Sequence, residues 1–142
     1  MASNPVPPEV HQFLESNNRT FLFTTRADGS PTCHPMIGLY KEGNLYFNTY
    51  RKSAKTRNAQ RDSQATCLVT TKWNDPNFRA VIFRGSASVL EGQEMPDRPR
   101  PRAGINPVPQ GVSGRSNDRL KSGKRILIEV TPTEALLLEK AR

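Results

Sequence analysis

Two short turn signals, Ala27-Asp28-Gly29-Ser30 and Glu42-Gly43-Asn44, cut the first third of this chain into three extended segments. The segments cover residues 19–26, 31–41 and 45–49, and they carry aromatic and β-branched side chains. So little chain separates them that no helix fits between, and consecutive antiparallel hairpins are predicted. Gly29 is expected to take a positive φ in the first turn, where a side chain would be strained. Pro35 has no N–H for a ladder, which places it at a sheet edge or a bulge.

The rest of the chain extends this pattern. Val10, Phe13 and Leu14 stand at helical spacing, so a short amphipathic helix is predicted over 8–17. A second helix is predicted over 53–62, with Ser53 as its N-cap. Strands follow over 65–72 and 78–90, the latter bent at Gly85. The last strand is predicted at 125–131. Thr131, Pro132 and Glu134 then read as a cap, first-turn proline and capping-box acid, which predicts a terminal helix over 131–140. Six strands with few short helices predict a mainly β fold, a six-stranded antiparallel β-barrel, because closing the sheet hides its edges.

With 142 residues the chain is read as one domain, 1–142. Its 35% hydrophobic content and 12 prolines leave a modest core, for which a partner subunit is a natural support. No apolar run is long enough to cross a membrane, and the first residues lack a signal-peptide pattern, so a cytoplasmic location is expected. Cys33 and Cys67 fall inside predicted strands, where buried thiols acting as small apolar residues are expected. His11 and His34 are far apart, and no metal-ligand spacing is present.

The net charge of +8 is unevenly spread. Between 98 and 125 lie eight basic residues against a single acid, Asp118, so nearly all of the excess belongs to this stretch. It falls largely in a Pro/Gly-rich insert at about 93–123, read as a loop or lid. Such a segment draws in an anion, or merely solvates the surface. A nucleic-acid-binding barrel would need aromatic side chains beside the charge, and the insert has none, so nucleic acid is not expected as a partner.

A more specific signal lies in Tyr50-Arg51-Lys52-Ser53-Ala54-Lys55-Thr56-Arg57-Asn58, between two predicted strands. A helix that starts at Ser53 presents free N–H groups and a positive dipole end. Lys55 and Asn58 are three apart and share a helical face. The segment reads as a phosphate grip, with a solvated basic helix as the alternative.

In order, the segments resemble the pyridoxamine 5′-phosphate oxidase-like split-barrel superfamily, in its flavin/deazaflavin oxidoreductase branch. The resemblance is carried by Phe21-Leu22-Phe23-Thr24-Thr25-Arg26-Ala27-Asp28-Gly29-Ser30-Pro31, His34-Pro35-Met36 and Gly43-Asn44-Leu45-Tyr46-Phe47-Asn48-Thr49. It continues through Ser53-Ala54-Lys55-Thr56-Arg57-Asn58, Phe83-Arg84-Gly85-Ser86-Ala87 and Arg125-Ile126-Leu127-Ile128-Glu129-Val130-Thr131-Pro132. It implies a split β-barrel and a homodimer with FMN or coenzyme F420, the deazaflavin, in a groove between two barrels. It further implies that His34, Pro35 and Met36 run beside the ring, and that Tyr50, Arg51, Ser53, Lys55 and Asn58 hold the phosphate. The substrate would be a small conjugated electron acceptor. The basic R-x-x-x-L-K strand of pyridoxamine phosphate oxidase itself has no counterpart here, so the resemblance does not extend to vitamin B6 oxidation.

No Ser/His/Asp, Cys/His or paired-carboxylate arrangement is readable, which fits chemistry carried by a cofactor. His34 is the one titratable candidate for a proton donor near the ring, against the ordinary role of a strand residue; no catalytic residue is otherwise assigned. Trp73 and Phe78 are candidates to flank a planar ligand, with a hydrophobic anchor as the commoner role. A non-catalytic carrier or sensor on the same barrel, binding flavin, haem or a tetrapyrrole, is the rival function.

Overall fold

The computed structural model describes residues 5–93, 95–96 and 123–139. The elements run α1 (Pro8–Ser16), β1 (Arg19–Thr25), β2 (Pro31–Ile37), β3 (Leu39–Lys41), β4 (Asn44–Tyr50), α2 (Ala54–Arg61), β5 (Gln64–Thr70), β6 (Arg79–Leu90) and β7 (Arg125–Glu139). The strands form one antiparallel sheet in the order β2-β1-β5-β6-β7-β4-β3. Both hairpin turns fall where the turn residues require them, and Gly29 has φ 87°.

The sheet is a curled half-barrel. Its two edge strands, β2 and β3, are consecutive in the chain and are joined only by Gly38. The edges must therefore approach each other at that corner. Gly38 donates its N–H to Asn18 O at 3.2 Å, and a Cβ on it would lie 3.1 Å from both the Phe47 ring and Thr20 Oγ1. Gly38 also divides the single strand expected over 31–41 in two, giving seven strands rather than six. Pro35 lies on edge strand β2, where its missing N–H costs nothing.

Alternation along each strand sends one set of side chains inward. Leu22, Phe47, Cys67, Val69, Val81, Phe83, Ile126, Ile128 and Val130 are fully buried. Helix α1 closes this core with Val10, Phe13 and Leu14, packing against β6 and β7, while α2 packs against β1 and β6. The Tyr40 hydroxyl bonds His11 Nδ1 and ties α1 to β3. No helix among the described residues is long and apolar enough to cross a membrane.

Three expectations are corrected. The terminal helix over 131–140 is absent: β7 stays extended to Glu139 and pairs with β6 from Arg79 onward. The first half of β6 needs that partner, and ladder pairing overrides the local capping signal. Cys33 is exposed while Cys67 is buried, because Cys33 points outward from the edge strand. Burial pushes the Cys67 thiol well above its ordinary range, so it acts as a small apolar residue. Trp73, for which an anchor role was the commoner reading, is 78% exposed on the turn between β5 and β6. The insert at 93–123 lies almost wholly outside the described residues.

Candidate functional site

Helix α2 starts as its sequence dictates. Ser53 is the N-cap: its Oγ accepts from Thr56 N at 3.3 Å and lies 2.9 Å from Thr56 Oγ1. The Thr56 hydroxyl donates to Tyr50 O at 2.8 Å, and Ser53 N donates to the same carbonyl at 3.1 Å. These bonds fix the helix start at the end of β4. The amides of Ala54 and Lys55, in the first turn, have no carbonyl to meet inside the helix. They point the positive end of the helix at the same spot.

Lys55 stands at that spot, half-buried. Burial holds its pKa below the ordinary lysine value, and the nearby Arg125 guanidinium lowers it further. Arg125 opens β7 opposite Tyr50 and lies over the Tyr50 ring at 4.3 Å. Its Nε donates to Asn48 Oδ1, and its Nη2 donates to Asn48 O at 3.1 Å. Two cations thus converge, and no carboxylate pairs with Lys55 among the described residues.

His34 completes the cluster from β2. Its backbone pairs with Leu22, a core residue, so the imidazole lies on the inner face. Desolvation lowers its pKa first, and the Lys55 and Arg26 charges lower it further. The ring is therefore neutral near pH 7. Its Nδ1 is buried with no hydrogen-bond partner among the described residues. A buried nitrogen without a partner is costly to the fold.

The expected site residues do not all meet. His34, Ser53 and Lys55 belong to one cluster. Met36 shares the inner face but packs against the core. Pro35 points the other way, as alternation requires. Tyr50 is exposed, with Arg125 over its face. Arg51 is engaged at the surface with Glu91 at 3.5 Å. Asn58 is buried, and its amide is spent within the protein. Arg26 and Arg125 were not singled out from the sequence. Arg26 reads as the end of the first extended segment and Arg125 as one more charge of the basic stretch; only the pairing of β7 with β4 brings Arg125 to Tyr50.

The outer face of the sheet holds a separate cavity of about 400 Å³. Phe23, Leu68 and Ile82 line it, with Thr25, Gln64 and Arg84 beside them, and none of the expected site residues does. Among the described residues no group of three or more His, Cys, Asp or Glu side chains could hold a metal ion.

A curled seven-stranded half-barrel with two helices defines a small split-barrel class of protein. The sequence profile of pyridoxamine 5′-phosphate oxidase matches residues 6–138, and the chain belongs to that family. The family is one of flavin-related oxidoreductases. No curated protein matches the chain. Among solved structures it is similar to a conserved hypothetical protein from Mycobacterium tuberculosis, at 20% identity and TM-score 0.69 over 98% of this chain and 89% of that one. It is similar to an F420 reductase at 21% identity and TM-score 0.64, over 92% and 98%. It also resembles a FAD-binding protein from Mesorhizobium loti at 15% identity and TM-score 0.64, over 92% and 90%. These likenesses concern the fold.

Proposed function

We propose that this protein is an oxidoreductase that moves hydride or electrons between FMN or coenzyme F420 and a small conjugated acceptor, working as a homodimer. The observation that carries the reading is a pair of neighbouring cations, Lys55 in the first turn of α2 and Arg125 beside it, neither of which meets a carboxylate among the described residues. Two like charges held together without an anion raise the energy of the empty protein. A phosphate placed there relieves that repulsion and accepts the Ala54 and Lys55 amides. His34, half-buried and neutral on the adjoining strand, stands where the edge of a planar ring would lie. Bound there, the ring supplies the redox chemistry. The chain contributes the anion site, the strand beside the ring and an uncharged imidazole. The F420 reductase and FAD-binding neighbours support the cofactor class.

Titration with FMN and with F420, followed by absorbance and fluorescence, tests this reading. Saturable binding of one identifies the cofactor, and turnover of an acceptor by the loaded protein separates an enzyme from a carrier. If neither binds, the reading fails.

The second copy is supported by the outer sheet face. Phe21, Phe23, Leu68 and Ile82 present a half-buried apolar stripe there, next to exposed Leu136 and Ile37. Such a stripe is better covered than left in water. Ile82→Glu, at its centre, is expected to turn a dimer into a folded monomer in sedimentation equilibrium, since an interface core excludes unpaired charge. A wild-type monomer at working concentrations would remove the second copy from the proposal.

The neutral state of His34 has a consequence for pH. Its folded pKa lies below the ordinary 6.5, so the unfolded chain takes up the proton first as pH falls. This contribution to stability is whole above pH 6.5 and is lost as the pH drops below it. The thermal midpoint should therefore fall more steeply in wild type than in His34→Gln between about pH 7.5 and about pH 5.5. Added phosphate should flatten the wild-type slope, because an anion on Lys55 offsets the repulsion felt by His34. Equal slopes for the two proteins would show that the imidazole titrates as it does in water.

A further inference from the structure

We propose that Asn58, Thr24 and Thr32 form a positioning clamp that sets the phosphate grip of α2 against the strand that carries His34. The inference rests on the cofactor reading above and assigns to these three residues a part in it.

The geometry begins with the Asn58 amide, only 5% exposed. Its Nδ2 donates to Thr24 Oγ1 at 3.2 Å and to Thr32 Oγ1 at 3.3 Å. Its Oδ1 accepts from Arg61 Nη2 at 2.7 Å, and the same Nη2 reaches Thr25 O at 3.1 Å. The two threonine hydroxyls lie 2.9 Å apart, and Thr32 Oγ1 is 3.3 Å from Thr24 O. The protons balance: Thr24 donates to Thr32 Oγ1, and Thr32 donates to the Thr24 carbonyl. Every polar atom of the Asn58 side chain is used, which removes the cost of burying it.

Helix α2 therefore has two moorings. Its first turn is bonded to Tyr50 at the end of β4, and its last turn is bonded to β1 and β2. In the sheet, four strands stand between β2 and β4. At the Thr32 end of β2, this helix, about 12 Å long, ties the two directly among the described residues. Thr32 is two residues from His34 on the same face of β2. The clamp thus fixes the distance between the phosphate end and the ring end of a ligand lying across both. Ligands that span two half-sites are sensitive to such registry, since a displacement of about 1 Å lowers efficiency on the order of a hundredfold.

The test compares ligands that occupy both half-sites with ligands that occupy one. FMN is set against riboflavin and inorganic phosphate, and F420 against its dephosphorylated chromophore. Thr32→Val keeps the shape and removes the hydroxyl; Thr24→Val does the same on the neighbouring strand. Both are expected to weaken the phosphorylated cofactor by about tenfold, while riboflavin or phosphate alone shifts by no more than about twofold. Thr32→Ser should restore wild-type affinity. The ring absorbance of the bound cofactor should also move in the valine variants. An equal loss for whole and half ligands, or no loss for any, overturns the clamp and leaves a purely structural network. Failure of the wild type to bind either cofactor overturns the underlying reading, and the clamp with it; the two failures are thus told apart by the wild-type titration.

Discussion

Gly85→Ala is expected to destabilise the fold by about 3 kcal/mol or more, read as a lowered denaturation midpoint with little change in slope. A Cβ at this position would meet Thr131 O at 2.0 Å, Thr131 C at 2.7 Å and Pro132 Cα at 3.0 Å. All three are backbone atoms of the partner strand, so no side chain can swing aside. The register of β6 on β7 shifts between Arg84 and Gly85. That irregularity lets the 12 residues of β6 bend while still pairing with β7 on both sides. Relief of the clash requires the strands to part where their ladder is longest. A domain of this kind has about 5–15 kcal/mol of total stability, so the loss is a large fraction of it. A change under about 0.5 kcal/mol would show that the strands do not touch at this point.

The same pairing explains why part of this fold could not be read locally. Residues 131–140 carry a good helix start and a run, Glu134-Ala135-Leu136-Leu137-Leu138, with strong helical preference. Yet Arg79–Arg84 lie on β6 with open ladder groups, and β7 is the strand that satisfies them. The deciding partner is about fifty residues away, beyond any local pattern. Alternation confirms the strand: Ala135 is buried and Leu137 packs on the core, while Leu136 is exposed. Gly29 and Gly85, by contrast, announced themselves, because a turn and a bulge each need a residue without a side chain.

The site divides in the same way. Ser53 and Lys55 were legible because a cap and the first-turn charge are local features of one helix. Arg125 reaches them only through β7, and Thr24 and Thr32 reach Asn58 only because β1 and β2 pair in register. Asn58 was noticed for sharing a helical face with Lys55. Its actual partners belong to a hairpin whose position relative to α2 no spacing rule supplies. Arg51 shows the converse: a basic residue in the right stretch, turned instead to Glu91.

The double variant Ser53→Ala with Lys55→Ala is expected to weaken the phosphorylated cofactor at least about tenfold, about 1.4 kcal/mol. The first substitution removes the N-cap and the second the half-buried charge nearest the free amides. Stability provides an internal control, because the two residues act on it in opposite directions. Ser53→Ala alone should cost about 1 kcal/mol, the usual loss for a cap. Lys55→Ala alone should leave the ligand-free protein as stable as wild type or more so, since the lysine is partly desolvated, repelled by Arg125 and matched by no carboxylate among the described residues. A residue that costs the empty fold something and strengthens the loaded one is placed for a ligand. If Lys55→Ala instead lowers the midpoint of the ligand-free protein and leaves cofactor affinity unchanged, the lysine belongs to the fold, and the start of α2 is only a charged helix end.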